Sequence, residues 1–347
     1  MKRHLLFLAA LLIVNLAASA QKKFSVYAVG FYNQENLFDT CHDEGKKDYE
    51  YLPNKGWNGM KYTNKLRNMS KALADMGTDV LPNVGCAFIG LSEVENHKVL
   101  DALVDQAPLK ARKMKYVHIE GPDRRGIDCA LLYNPSLFSV KNVKLLPYVQ
   151  ELAKDSAFFT RGFLTVRGEM AGDDVAVIVC HWPSRFSGPF YRESAARQVK
   201  VIKDSLLNVN QEMKIFVMGD MNDDPVNKSM HVYLQAKPEI SQVGAGDMYN
   251  PWYNVLAKEG KGTLFYSGNW NLFDQIVITP NLLNKDAKKK DYSSLKYWKS
   301  HIFRRDYLIQ QEGQYKGAPL RTTAGGRWLN GYSDHLPVVM YLVKEKK

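Results

Sequence analysis

The stretch "KIFVMGDMNDDPVN", residues 214–227, decides how the rest of the chain is read. Ile215 to Met218 is a short apolar run of the kind a buried β-strand uses. It passes without a linker into Gly219, Asp220, Met221, Asn222, Asp223, Asp224 and Pro225. Glycine, aspartate, asparagine and proline are ordinary turn formers, so one acidic strand end carries no chemistry by itself. The question is whether other strands end in the same way.

They do. "FSVYAVGFYN" reaches Asn33, then Glu35 and Asn36, while "CAFIGLSEVEN" reaches Glu93, then Glu95 and Asn96. "DVAVIVCHWPSR" ends on His181, "LFDQIVI" carries Asp274 near its start, and "GYSDHLPVVMYLV" sets Asp334 and His335 ahead of the last strand. Repetition of this kind predicts that the strand ends meet on one rim as a cluster of carboxylates, amides and imidazoles. Residues 62–76 place Tyr62, Leu66, Met69, Leu73 and Met76 near the helical period, and "YRESAARQVKVIKDSLL", residues 191–207, reads as a second amphipathic helix. Strands outnumber helices and the first helix separates two strands, which predicts an α/β sandwich of mixed sheets. The chain has no GxxxxGK[ST] phosphate loop and no GxSxG nucleophile elbow.

The first 20 residues read differently. Met1-Lys2-Arg3-His4 is basic, Leu5 to Leu16 is almost wholly apolar, and Ala17-Ala18-Ser19-Ala20 offers a cleavage site. That is a secretory signal peptide, and its apolar run of roughly a dozen residues is too short for a stable membrane anchor. Residues 21–347 are then expected as a single catalytic domain, exported to the periplasm or the extracellular space. Of 47 lysines and arginines only Lys2 and Arg3 lie in the leader, so against 36 acidic residues the mature charge is about +9. Such a surplus favours anionic partners. Part of it lies in residues 284–307, "NKDAKKKDYSSLKYWKSHIFRRDY", which reads either as a solvated surface insertion or as a contact surface for a phosphate backbone. No obligate protein partner is implied. Cys41, Cys86, Cys129 and Cys180 form no CxxC pair, and the last three lie in apolar runs, so no essential disulfide or zinc site is expected.

A rim of carboxylates and amides offers hard oxygen ligands suited to Mg²⁺, with Mn²⁺ or Ca²⁺ as alternatives. Glu93, directly after a buried strand, is the leading ligand. Hydrolysis also needs a base, and a neutral histidine held by a carboxylate suits that task near neutral pH. His335 with Asp274 fills the role, and His181 can donate to a phosphate oxygen. His4, His42, His97, His118, His231 and His301 have no comparable setting.

Taken together, "FYNQENLFD", "GLSEVEN", "CHWPSR", "GDMNDDP", "FDQI" and "YSDHLPV" resemble the endonuclease/exonuclease/phosphatase superfamily from about residue 24 to residue 343. The resemblance implies a four-layer α/β sandwich, two packed mixed β-sheets flanked by helices, with a divalent metal at one rim. It implies Asn33, Glu93 and Asp334 on the metal side, with Asn36 competing with Asn33 for its position. It further implies His181 against the scissile phosphate, Asp220 and Asn222 positioning nucleophile and phosphate, Asp274 orienting the base His335, and Arg161 binding substrate phosphate. Cys180 stands where many relatives carry asparagine, which removes a supporting hydrogen bond. The expected activity is metal-dependent phosphodiester hydrolysis, a nuclease of low sequence specificity acting on nucleic acid. The alternative keeps the chemistry and changes the substrate to small or lipid phosphates, as in a phosphatase, phospholipase or sphingomyelinase. A binding module that kept the fold and lost the chemistry would show gaps in this residue set, and none is present.

Overall fold

The computed structural model describes residues 23–151, 158–286 and 288–346. The leader expected at residues 1–20 lies outside them. In chain order the strands are β1 (Phe24–Leu37), β2 (Cys86–Val94), β3 (Lys115–His118), β4 (Asp128–Tyr133), β5 (Phe138–Leu146), β6 (Phe163–Met170), β7 (Asp173–His181) and β8 (Lys214–Asp220). There follow β9 (Ala236–Lys237), β10 (Met248–Tyr249), β11 (Leu264–Tyr266), β12 (Asn269–Asn271), β13 (Asp274–Ile278), β14 (Lys296–Ile302), β15 (Thr323–Ala324), β16 (Arg327–Trp328) and β17 (Val338–Glu345). One sheet runs β14-β17-β1-β2-β4-β3 and the other β5-β6-β7-β8-β13-β10-β9. Both are mixed, and β11-β12 and β15-β16 form separate hairpins.

Two parallel pairs organise the architecture. β1 lies parallel to β2, and β7 parallel to β8. A parallel pair needs a long crossover, usually a helix. The helix Gly59–Asp75 supplies it for the first pair and the helix Pro189–Val209 for the second, each longer than its periodicity predicted. Asn58 caps the first helix by accepting from Lys61 N at 3.1 Å. Pro189 opens the second, where its missing N–H costs nothing.

Strand alternation then sorts the side chains into layers. On β1, Val29 and Phe31 enter the core between the sheets, while Ala28 and Tyr32 face the first helix with Leu66, Met69 and Leu73. On β8, Phe216 and Met218 point between the sheets, while Ile215 and Val217 pack with Val199 of the second helix. With both faces covered, these strands are apolar without alternation. Helix, sheet, sheet and helix make the expected four layers. The four cysteines are free thiols, three of them buried.

The basic segment 284–307 is no simple insertion. Its middle forms β14, an edge strand whose Lys296 pairs with Val343 and whose Ile302 pairs with Val338. Lys299 lies over the rings of Trp298 and Tyr341, and Lys296 Nζ donates to the carbonyl of Asn281. Tyr297 and Trp298 between Lys296 and Lys299, with Ile302 beyond them, were the overlooked strand signal.

The opening sequence acquires its physical reason at Gly219. A Cβ there would lie 2.2 Å from the carbonyl oxygen of Cys180 on β7. Gly219→Ala is therefore expected to lower the unfolding free energy by at least about 1–3 kcal/mol, the usual cost of overpacking. Urea denaturation measures it, and an unchanged midpoint refutes the close approach.

Candidate active site

Register brings the polar strand ends together. Across three neighbouring strands His181 pairs with Asp220, and Asp220 with Asp274. His181 and Asp220 end parallel strands, whereas Asp274 begins the antiparallel β13, so all three emerge on the same edge. The first sheet brings Asn33 and Glu93 to that rim from the C-terminal ends of β1 and β2. Ligand sites form in this place in open α/β sheets. The segment before β17 adds Asp334 and His335, with His335 bridged to Leu264.

Both strands of the first sheet break register as they arrive, between Asn33 and Leu37 and between Ser92 and Val94. Glu35, Asn36 and Glu93 adopt left-handed backbones with φ of 45°, 57° and 60°, and Asn222 on the facing sheet has φ 49°. Such conformations cost about 1–3 kcal/mol each and persist where surrounding contacts over-determine them. A bulge re-aims side chains. Here it lets Asn36 N donate to Glu93 Oε2 at 2.9 Å, leaving Glu93 Oε1 3.8 Å from His181 Nε2.

Asp220 is the buried centre. Its Oδ2 accepts from Asn33 Nδ2 at 3.0 Å and its Oδ1 from Asn222 N at 2.9 Å. The Nε2 atoms of His181 and His335 lie 3.7 and 3.8 Å from Oδ2. His335 Nδ1 donates to Asp274 Oδ2 at 2.7 Å, which leaves Nε2 for chemistry. Burial alone would push His335 down, but the carboxylates of Asp274 and Asp220 outweigh it and hold the imidazole well above the ordinary histidine value. Burial raises Asp220 to about 6, with His335 pulling against it. His181 moves the other way: burial, then Arg161 and Arg125, hold it well below the ordinary value, so it is neutral. His181 Nδ1 has no hydrogen-bond partner among the described residues, in keeping with the cysteine at position 180.

A cavity of about 250 Å³ exposes Glu93, His181, Asp220, Asn222 and His335 together with Arg161 and Arg125. Arg161 is both paired and poised. It donates to Asp123 Oδ2 and to the carbonyl of Trp182, each at 3.0 Å, and still lines the cavity. Asn222 Nδ2 donates to the same carbonyl at 2.9 Å. Asn33, expected on the metal side, spends its amide on Asp220 and its carbonyl on Glu35 N at 2.8 Å. Asp334 Oδ2 accepts from Arg321 Nη2 at 3.2 Å, and its Oδ1 lies 4.0 Å from His335 Nε2. Among the described residues no three His, Cys, Asp or Glu side chains form a ready cage for a metal. One carboxylate facing an open cleft, as Glu93 does, nevertheless fits Mg²⁺, which keeps several waters and takes substrate oxygens.

Several site residues escaped the sequence. Arg125, in the basic loop "GPDRRG", donates to Asn36 Oδ1. Glu35 accepts from Thr322 N at 2.6 Å and from Arg321 Nε at 3.2 Å. Lys65 is fully buried and donates to Thr322 Oγ1 at 2.6 Å and to the carbonyl of Tyr332 at 2.5 Å. A lysine inside an amphipathic helix reads as solvated face, and nothing local signals its burial. Of the remaining histidines, His118 is also held by a buried carboxylate, Asp128, and His301 by Asp79, but neither lines the central cavity.

A model of the endonuclease/exonuclease/phosphatase family matches residues 28–344. The chain belongs to this family. Solved structures share the fold at low identity. A family protein from Bacteroides thetaiotaomicron is 14% identical with a TM-score of 0.55, over 93% of this chain and 97% of that one. The mannosyl-6-phosphatase Bt3783 of the same organism is 15% identical with a TM-score of 0.54, over 91% and 99%. The D. rerio TDP2 complexed with single strand DNA product is 11% identical with a TM-score of 0.53, over 92% and 99%. No curated protein matches. Members of the family are phosphoester hydrolases that generally use divalent metals, and this chain carries the family's fold around its own polar rim. Among the described residues no helix is long and apolar enough to cross a membrane.

Lys65 and Glu35 fasten the loop that leads to His335. Burial lowers Lys65 to about 8 and raises Glu35 to about 7, so each charge depends on the other. Lys65→Met takes the buried donor away from Thr322 Oγ1 and the Tyr332 carbonyl while Glu35 keeps Arg321, and is expected to cost about 1–3 kcal/mol, the cost of leaving buried polar groups unsatisfied. Chemical denaturation tests this, and a loss within about 0.5 kcal/mol, the range of surface substitutions, would refute the role of Lys65 in holding the loop.

Proposed function

We propose that this protein is a divalent-metal-dependent phosphodiester hydrolase acting on nucleic acid with little sequence preference. The observation that carries the reading is the in-register row His181–Asp220–Asp274 with His335 seated on it. The central cavity carries Arg161 and Arg125, and a neighbouring cleft carries Lys55, Lys61 and Arg321 beside Tyr51 and Trp57, which favours a chain-like substrate, since single strands bind in grooves that combine cations with aromatic faces. A structure similar in fold, that of D. rerio TDP2, holds single strand DNA. Export, read from residues 1–20, belongs to the same proposal.

In this mechanism the scissile phosphate enters beside Arg161, Arg125 and neutral His181, whose N–H groups meet its oxygens. Asn222 adds its side-chain amide. Asp220 orients the attacking water, and His335 Nε2 takes the water's proton as oxygen bonds to phosphorus and the ester oxygen leaves. Asp274 holds the imidazole in the required tautomer and stabilises its charge. Glu93 would hold a divalent cation, with Asp334 as the other metal-side acid, and when bound the cation would supply Lewis-acid polarisation of the phosphoryl oxygen and offset negative charge. Asn33 steadies Asp220.

A second reading, hydrolysis of a phosphorylated sugar, draws on the fold shared with the mannosyl-6-phosphatase and on the small volume of the central cavity. Supercoiled plasmid DNA incubated with purified residues 21–347 and Mg²⁺ separates the two. Nicking is expected, abolished by EDTA and by His181→Ala. Intact plasmid with release of phosphate from mannose 6-phosphate would select the second reading.

His335→Ala is expected to lower kcat about 10²–10⁴-fold, the usual contribution of a general base. Asp274→Asn removes a carboxylate that raises His335, so the acid limb of the kcat/KM–pH profile moves to lower pH as the rate falls. A limb unmoved or shifted upward in that variant would exclude His335 as the base.

A further inference from the structure

Beyond the central cavity lies a second cleft of about 390 Å³, lined by Tyr51, Lys55, Trp57 and Lys61 on one side and by Arg321 and the β15-β16 hairpin region on the other. Asn36 divides the two. Its backbone N–H holds Glu93, its side chain accepts from Arg125, and Asn36 itself also lines the second cleft. A substrate lying across Asn36 would occupy both.

The charges of this cleft are only partly spent. Glu35 is committed to Arg321 and Thr322 N, so the exposed Glu50 is the other opposing carboxylate. Neither Lys55 nor Lys61 pairs with a carboxylate among the described residues. Lys61 Nζ instead stands 5.7 Å from the centre of the Trp328 ring, which packs edge-on against Trp57. Arg321 reaches Glu35 with Nε and Asp334 with Nη2, and its side chain stays 42% exposed. Cations beside an aromatic wall are what a phosphate joined to a ring requires.

We propose that this cleft is a second phosphate subsite, in which Lys55, Lys61 and Arg321 receive the phosphate next to the scissile one in a nucleotide chain. The assignment rests on the nucleic-acid reading above and adds to it a requirement for a neighbouring phosphate. It places the adjoining sugar or base against Tyr51 and Trp57, the aromatic residues that line the cleft.

The test is binding rather than turnover. The thymidine dinucleotide TpT and its phosphorylated forms pTpT and TpTp are titrated into the metal-free wild-type protein and the Lys55→Gln/Lys61→Gln variant, with tryptophan fluorescence as readout. Wild type is expected to bind one phosphorylated form at least about tenfold tighter than TpT, which is about 1.4 kcal/mol. In the double variant that ratio falls to near one. Equal affinity for all three probes in wild type, no binding of either phosphorylated probe, or a preference that survives in the variant would each overturn the subsite. Failure of the nuclease reading is read separately, as absence of plasmid hydrolysis by the metal-loaded wild type.

Discussion

A buried carboxylate in the middle of a sheet is the constraint around which this molecule is arranged. Asp220 ends a strand buried along its whole length and is almost sealed from solvent, so its charge persists only if donors surround it. Asn33 reaches it from the facing sheet, the backbone of Asn222 from its own turn, and His335 from the segment before the last strand. Because those donors come from distant parts of the chain, the charge is satisfied only when both sheets are packed and in register. The polar site and the apolar core therefore depend on one another.

The parallel pairs explain why the rim lies where it does. Each pair sends two strand ends to the same edge and hides its crossover helix on an outer face. Antiparallel neighbours β13 and β17 begin at that edge, so the first residue of β13 delivers Asp274 and the turn before β17 delivers Asp334 and His335. Six chain segments converge with no long-range instruction beyond strand direction and register.

This is also why the sequence disclosed so much of the site and so little of what supports it. Strand ends are legible because apolar runs stop at identifiable residues, and the roles of His181, Asp220, Asp274 and His335 are implied by the resemblance to known relatives. The two helices appeared at nearly their full length for the same reason, a period sustained over several turns. Lys65, Glu35 and Arg321 left no such trace. Lys65 and Arg321 lie about 250 residues apart along the chain, and their meaning comes from a loop folding back onto a helix. β14 was hidden because its lysines masked an edge strand, where one face meets solvent and charge is tolerated.

The supporting network suggests how chemistry and specificity separate in this fold. Thr322 and Tyr332 are both held by Lys65, so the loop between them is pinned at its ends just before Asp334 and His335. Within it Gly325 and Gly326, with φ of 54° and 76°, turn the β15-β16 hairpin, and a Cβ at either would meet nothing within 4 Å. The tip is thus free to change length or charge while its anchors keep the imidazole in register with Asp220. Strain at Glu35 and Asn36 has the same logic, since Arg321 and Thr322 hold the Glu35 side chain and Arg125 the Asn36 side chain from outside the strand. A rigid centre and an open rim follow from one arrangement of buried charge.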